Sequence, residues 1–313
     1  SSLLLEEQEA LLYNEPLMLS RIIAIVGPTA SGKSDLGIFL AQKLQGEIIS
    51  ADSRQVYKGM DIGTGKVSKL EQKLVPHHLL DVADPKRDFS ASRFKTLAQK
   101  AIKEISNKNK IPILVGGTGF YIDTLMGKFS LPAVKPNKKL REHLEKFSTD
   151  HLFKVLCNLD PERAASIDRH NKHRLVRALE IVLITGKPVP KLNPTIPYEI
   201  LWLGVDPKNL EKRIKLRLDK RLEHGMIEEV IKLHRQGVSF KRLEKFGLEY
   251  YWMARYLQDK VTLEAMKSGL LQDIFQYSKR QMTWFKKNHD IHWVHTKSES
   301  LRLAQKFVEE RKV

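Results

Sequence analysis

The chain has 313 residues, with 54 Lys and Arg against 37 Asp and Glu, a net charge of +17. That length supplies core for one large domain or two modest ones. So large a charge excess costs a fold self-repulsion and points to a polyanionic partner, nucleic acid before anionic membrane. No apolar run approaches the roughly 20 residues of a membrane span. The one cysteine, Cys157, excludes a disulfide scaffold and a Cys₂His₂ finger, and reads as core filler. Residues 1–20 are leucine-rich but carry Glu6, Glu7 and Glu9 where a signal peptide needs positive charge, so the expected location is the cell interior, the cytoplasm.

In chain order, residues 22–26 form an apolar run that reads as a strand, and 36–44 read as a helix. Between them lies Gly27-Pro28-Thr29-Ala30-Ser31-Gly32-Lys33-Ser34, a complete G-x-x-x-x-G-K-[ST] loop. Its backbone amides and the positive end of the next helix make a cradle for a di- or triphosphate. Lys33 is placed to reach the outer phosphates and Ser34 to ligate Mg²⁺. Residues 47–50 read as a second strand, so Asp52 falls on the same carboxyl rim as the loop. A carboxylate there can serve as metal ligand, general base or loop cap. The turn-rich segment 61–66 ends in Lys66, a further candidate for phosphate. His77 and His78 read as structural, since adjacent residues do not share a side of a strand and a metal needs more ligands.

Residues 111–115 form the next strand, closed by Gly116-Gly117-Thr118 where an ordinary P-loop ATPase carries an aspartate for Mg²⁺. Strand signals then thin out, and 129–195 are basic, helix-patterned and bracketed by prolines, which reads as a helical insertion. In it His173, Arg174 and Arg177 are basic while Leu175, Ala178, Leu179 and Val182 pack inward. Residues 200–205 read as a strand. Asp206-Pro207 is expected to start a helix and Gly225 to end it. There Leu210, Ile214, Leu218 and Leu222 form the buried stripe and Arg213, Arg217 and Arg221 one edge. The segment 278–287 interleaves Lys279 and Arg280 with Trp284 and Phe285, a composition suited to phosphates and stacked bases or, equally, to an amphipathic helix with buried aromatics. Residues 291–294 read as the last strand. Runs without polar alternation imply strands buried on both faces. The fold class is therefore α/β, a P-loop NTPase-like parallel sheet flanked by helices. Residues 21–128 and 196–313 form its core, with a mainly helical insertion at 129–195 and an N-terminal extension at 1–20.

Five segments together, 27–34, Asp52-Ser53-Arg54-Gln55-Val56-Tyr57, 61–66, 76–81 and 116–121, resemble the tRNA dimethylallyltransferases of bacterial type, in the right order over roughly residues 21–295. The resemblance implies transfer of a dimethylallyl group from dimethylallyl diphosphate to N6 of the adenosine 3′ to a tRNA anticodon. It makes Asp52 the general base and Thr118 and Arg217 its catalytic companions. Gly27 to Ser34 and Arg213 hold the diphosphate, with Mg²⁺ on Ser34. It implies tRNA contacts from Asp52, Ser53, Arg54, Gln55 and Thr118, and from His173, Arg174 and Arg177 in the insertion, with Lys279 and Arg280 beside them. The expected partners are the anticodon stem-loop of tRNA and dimethylallyl diphosphate, with no membrane, for a monomeric enzyme. Where the family often has Gly-Tyr-Arg this chain has Gly247-Leu248-Glu249, so the arginine contact with tRNA is not expected. The runner-up is a P-loop small-molecule kinase, which has the same loop and no need of +17. An RNA-binding module with a vestigial nucleotide site is the third reading.

Overall fold

The computed structural model describes residues 20–128, 134–190 and 198–310. Its strands are β1 (Ser20–Val26), β2 (Glu47–Ser50), β3 (His77–His78), β4 (Pro112–Gly116), β5 (Tyr198–Val205) and β6 (His292–Val294). They form one six-stranded sheet in the order β3-β2-β4-β1-β5-β6, with every pairing parallel. The parallel α/β class expected from the apolar runs is the one observed. Along β1, Ile22, Ala24 and Val26 enter one hydrophobic cluster while Ile23 and Ile25 enter the other. Both faces are covered, so the strand has no polar alternation; each such side chain contributes about 1.5–3 kcal/mol by burial.

The helices of this unit are α1 (Lys33–Leu44), α2 (Lys69–Leu74), α3 (Ala91–Asn107) and α4 (Gly119–Leu125) before β5. After β5 come α9 (Leu210–Glu223), α10 (Met226–Arg235), α11 (Phe240–Phe246), α12 (Leu248–Tyr256), α13 (Leu263–Phe285) and α14 (Lys297–Glu309). The helix α3 shows why the pattern folds this way: Phe94, Ala98, Ala101, Ile102 and Ile105 fall on one side at helical spacing and are its buried residues. Ser90 caps its start by accepting from the Arg93 amide.

Two boundaries differ from expectation. The helix α9 begins at Leu210, after Asn209 in a left-handed conformation (φ 59), and Asp206 is not its cap. Pro207 instead lies in the short irregular stretch between β5 and α9, ahead of the turn at Lys208 and Asn209. Gly225 (φ 90) follows the end of α9 and at the same time heads α10. The short strand β3 carries no apolar run and is invisible to pattern reading. His78 Nε2 lies 2.8 Å from Glu47, and His77 Nδ1 is 2.9 Å from the Val75 carbonyl, so both histidines hold the sheet edge. Burial pushes the Glu47 carboxyl up, but hydrogen bonds from Lys110 and His78 and the charge of Lys108 hold it at about 2.

The described residues separate into two compact units, 20–126 with 198–310, and 127–128 with 134–190. Among its described residues the second unit is helical: α5 (Lys138–Leu144), α6 (Thr149–Leu159), α7 (Pro161–Ser166) and α8 (Lys172–Thr185). Leu144, Leu152, Leu156, Leu175 and Leu179 form its core, with Cys157 packed partly buried against them. The buried Glu180 carboxylate accepts from Arg141 at 2.7 Å and from Arg177. The expectation of an extension at 1–20 falls, but for Ser20, outside the described residues, as do Pro132, Pro194 and Pro197.

At the end of β4 the chain runs so close to the next strand's exit that a Cβ on Gly116 would lie 2.2 Å from the Ala51 carbonyl oxygen. Backbone cannot swing aside as a side chain can. Gly116→Ala is therefore expected to lower stability by about 2 kcal/mol or more in denaturant unfolding; an unchanged midpoint would disprove the close approach.

Candidate active site

In a parallel sheet the loops at the carboxyl ends of adjacent strands converge on one rim. Here the ends of β1, β4 and β2, neighbours in the sheet, deliver the segments 27–34, 116–118 and 50–55 to a cavity of about 840 Å³. The helix α9 closes one wall with Arg213, Arg217 and Arg221, so the stepped arginine edge lines the cavity, Arg213 exposed and the other two half-buried. Ile214 and Leu218 on the other side of α9 are buried, as the four-residue stripe predicted.

The phosphate loop folds as an anion nest. Ala30 (φ 61) and Gly32 (φ 94) adopt left-handed backbone, and α1 starts directly after them. The amides of Ala30, Gly32, Lys33 and Ser34 donate to no acceptor among the described residues, leaving free N–H groups at a helix start. The buried Ser31 hydroxyl has no hydrogen-bond partner either. Lys33 donates to the Pro28 carbonyl at 2.9 Å. Burial, then the neighbouring Arg217 and Arg221 charges, bring its ammonium down to about 8, against an opposing pull from Asp52. Arg213 donates from Nε to the Ala30 carbonyl at 2.8 Å, which fixes the loop from α9. Arg217 is lowered to about 10 by burial and by Arg221 beside it.

Asp52 caps its own loop with one oxygen. Its Oδ1 accepts from the Arg54 amide at 2.8 Å and the Gln55 amide at 3.3 Å, while Oδ2 has no hydrogen-bond partner among the described residues. One oxygen of the carboxylate is thus engaged in capping while the other is open to the cavity's contents. Thr118 accepts from the Ser53 amide at 3.0 Å, tying the second loop to the third. Gln55 reaches the Gly65 carbonyl at 3.3 Å and pairs with Ser50 at 3.0 Å. Arg54 lies over the Phe246 ring, 5.7 Å from its centroid.

Several expected contributors take other roles. Lys66 bonds the Tyr57 carbonyl and the Asp61 and Asp81 carboxylates and is 2% exposed, so its charge is satisfied inside the protein. Phe285 is buried and Trp284 donates to Asp123 at 2.8 Å, the amphipathic-helix outcome for 278–287, with Lys279 and Arg280 exposed. In the second unit His173 and Arg174 are exposed, whereas Arg177 holds Glu180 and the Val134 carbonyl.

Pattern reading missed Gln281, Tyr277 and Glu249, all lining the cavity. Gln281 accepts from the Thr29 amide and donates to the Gly117 carbonyl, both at 2.8 Å, bridging the phosphate loop to the β4 loop. The available signal was a polar residue on the buried stripe of α13, among Ile274, Ser278 and Phe285. Burial and the nearby Asp52 raise the Tyr277 hydroxyl to about 12. Glu249 is paired with Arg221, and burial raises its carboxyl.

The sequence model of a family described as IPP transferase matches residues 55–288. The chain is 40% identical to "tRNA dimethylallyltransferase 1" of Geotalea uraniireducens, covering 93% of this chain and 98% of that protein. It is 38% identical to the tRNA dimethylallyltransferase of Halalkalibacterium halodurans over 88% of this chain and 91% of that one. Among solved structures, the full-length tRNA isopentenylpyrophosphate transferase of Bacillus halodurans superposes with a TM-score of 0.70 at 36% identity, covering 94% and 98% of the two chains. A eukaryotic dimethylallyltransferase acting on tRNA superposes at 0.76 with 31% identity, covering 88% of this chain and 73% of that one.

A diphosphate beside Lys33 favours the ammonium form and holds its proton above the value of about 8 set by burial and the neighbouring arginines. Binding of inorganic diphosphate therefore takes up a proton above about pH 8. The affinity advantage of wild type over Lys33→Met should be level below that point and shrink by up to about ten-fold per pH unit above it. Isothermal titration of both proteins across this range measures the ratio; a ratio independent of pH would contradict the lowered ammonium.

Proposed function

This chain belongs to the IPP transferase family, and from that premise we propose that it transfers a dimethylallyl group from dimethylallyl diphosphate to N6 of the adenosine 3′-adjacent to a tRNA anticodon. The observation that carries the reading is the shared cavity. An amide nest ringed by Lys33, Arg213 and Arg217 opens onto a carboxylate whose Oδ2 is free to take a proton.

The chemistry asks for both ends of that cavity. An exocyclic aromatic amine is a weak nucleophile, because its lone pair is delocalised into the ring. As the N6–C1 bond forms, Asp52 Oδ2 takes the N6 proton, general-base help worth about 10²–10⁴ in rate. At the opposite side of the same carbon the C1–O bond breaks, and its electron pair leaves on the diphosphate. The loop amides from Ala30 to Ser34, Lys33 and Arg217 receive that charge where water is largely excluded. Thr118 positions the Asp52 loop by accepting from the Ser53 amide. Mg²⁺ fits the Ser34 hydroxyl, which lines the cavity and has no hydrogen-bond partner among the described residues. Ser34 would hold the ion, which would supply neutralising charge to the departing diphosphate.

The adenine must leave the anticodon stack to reach Asp52, at a cost of a few kcal/mol. On this reading Asp52, Ser53, Arg54, Gln55 and Thr118 receive the base. The helical unit is an insertion whose exposed His173 and Arg174, with Arg177 behind them, grip the anticodon stem-loop, and Lys279 and Arg280 add phosphate contacts. The net charge of +17 suits that footprint and predicts strongly salt-dependent tRNA binding. The reading takes the protein to act as a monomer in the cytoplasm.

Incubation with labelled dimethylallyl diphosphate, Mg²⁺ and an anticodon stem-loop should yield a prenylated adenosine. Asp52→Ala should cut turnover by about 10²-fold or more while tRNA affinity stays within a few fold; wild-type turnover in this variant would remove Asp52 from the mechanism. Dimethylallyl diphosphate with Mg²⁺ should raise the melting temperature more than ATP does, and the reverse order would favour a kinase.

A further inference from the structure

The segment 61–66 crosses the cavity wall directly against α9. A Cβ on Gly65 (φ 59) would lie 1.8 Å from the Arg221 guanidinium and 2.0 Å from that of Arg217. Backbone carbonyls of this segment therefore meet both arginines, but the two are held very differently. Arg221 Nη1 donates to the Gly63 carbonyl and to Glu249 Oε1, each at 3.1 Å, and its side chain is 11% exposed. Among the described residues, the one direct hydrogen bond of Arg217 runs to the Gly65 carbonyl at a long 3.4 Å.

The Gly63 peptide is fixed from its other side as well. Glu229 on α10 accepts from the amides of Asp61, Ile62 and Gly63 at 2.8, 2.6 and 3.1 Å. The Tyr250 hydroxyl donates to the same carboxylate at 2.7 Å. Tyr250 follows Glu249 in α12, so the contacts close a ring: Gly63 amide, Glu229, Tyr250, Glu249, Arg221 and back to the Gly63 carbonyl. Entry to α12 runs through Gly247 (φ 74) and then Leu248 (φ 44), backbone that a leucine adopts only under constraint. That entry delivers Glu249 to a cavity whose lining includes Lys33, Arg213, Arg217 and Arg221 as well as the Asp52 carboxylate.

We propose that Glu249 is a positioning residue that withholds Arg221 from the diphosphate, leaving Arg217 as the guanidinium that binds it and keeping the released diphosphate from binding too tightly. The inference rests on the proposed reaction, in which a diphosphate occupies the nest and must leave after each turnover. The Glu249 carboxylate acts in two ways. It engages Arg221 Nη1 together with the Gly63 carbonyl and pairs its charge, and its own negative charge lowers the attraction the remaining cations exert on an anion.

The test measures inhibition by inorganic diphosphate with Mg²⁺, together with kcat, in the full-length protein. Glu249→Gln removes the charge while keeping shape and a hydrogen-bond acceptor for Arg221. Its inhibition constant is expected to fall by roughly ten-fold, the scale of one buried charge acting across several ångströms, with kcat reduced as release slows. The doubly neutral Arg221→Gln, Glu249→Gln variant should return to within about two-fold of wild type, while Arg217→Gln should weaken inhibition by about ten-fold or more. Those last two variants decide the matter by themselves if the single one does not fold. Unchanged or weaker inhibition in Glu249→Gln, or a double variant as weak as Arg217→Gln, would overturn the assignment of Glu249 while leaving the prenyl-transfer reading intact. Failure of wild type to bind diphosphate at all would sink both.

Discussion

Lys33, Arg213, Arg217 and Arg221 line one cavity beside amides that have no acceptor among the described residues, and this concentration of positive charge, offset in part by Asp52 and by Glu249 on Arg221, governs the architecture around it. Burial and mutual repulsion bring Lys33 to about 8 and Arg217 to about 10. Such an arrangement is tolerable only if an anion completes it or if the surrounding frame is rigid enough to hold it. Both conditions shape the site. On the proposed reading a diphosphate completes the nest, and the contacts between the surrounding elements keep the cations in place.

Rigidity comes from connections that cross between elements distant in sequence. Gln281 joins the phosphate loop to the β4 loop, Thr118 joins the β4 loop to the Asp52 loop, and Arg213 joins α9 to the phosphate loop. Lys66 and Glu229 pin the two ends of the segment that carries Gly63 and Gly65. Each is a polar group inside a nearly dry site, where a satisfied network specifies one arrangement and a broken one is costly. The sheet supplies the fixed base: three neighbouring strand ends with both faces packed by apolar clusters.

Division of labour within single residues recurs. Asp52 caps a turn with one oxygen and keeps the other available, so the carboxylate proposed as the base is oriented by its own loop. The arginine edge of α9 is divided likewise: Arg213 fixes the loop, Arg221 is held by Glu249 and Gly63, and Arg217 is left with one long contact. Equal spacing along a helix gives these residues one direction but not one function. Function follows from what each guanidinium meets.

The amino-acid sequence by itself determined the phosphate loop, the parallel sheet and the cationic edge of α9, because each is written in local spacing: a fixed glycine-lysine motif, apolar runs without alternation, a four-residue step. It also placed Asp52 and Thr118 on the rim, since both directly follow strands. It could not foretell that Lys66 is neutralised by Asp61 and Asp81, that Arg177 is bound to Glu180, that Asp206 yields the start of α9 to Asn209, or that Gln281 bridges two loops. Some of the partners are close in sequence, Glu180 three positions from Arg177 and Asp61 five from Lys66, while those of Gln281 lie 252 and 164 positions away; in every case spacing alone does not say which contact forms. Only the packed tertiary structure decided them, because a charged or polar side chain takes its role from the dielectric and the partners that folding brings to it, and neither is encoded in its neighbours along the chain.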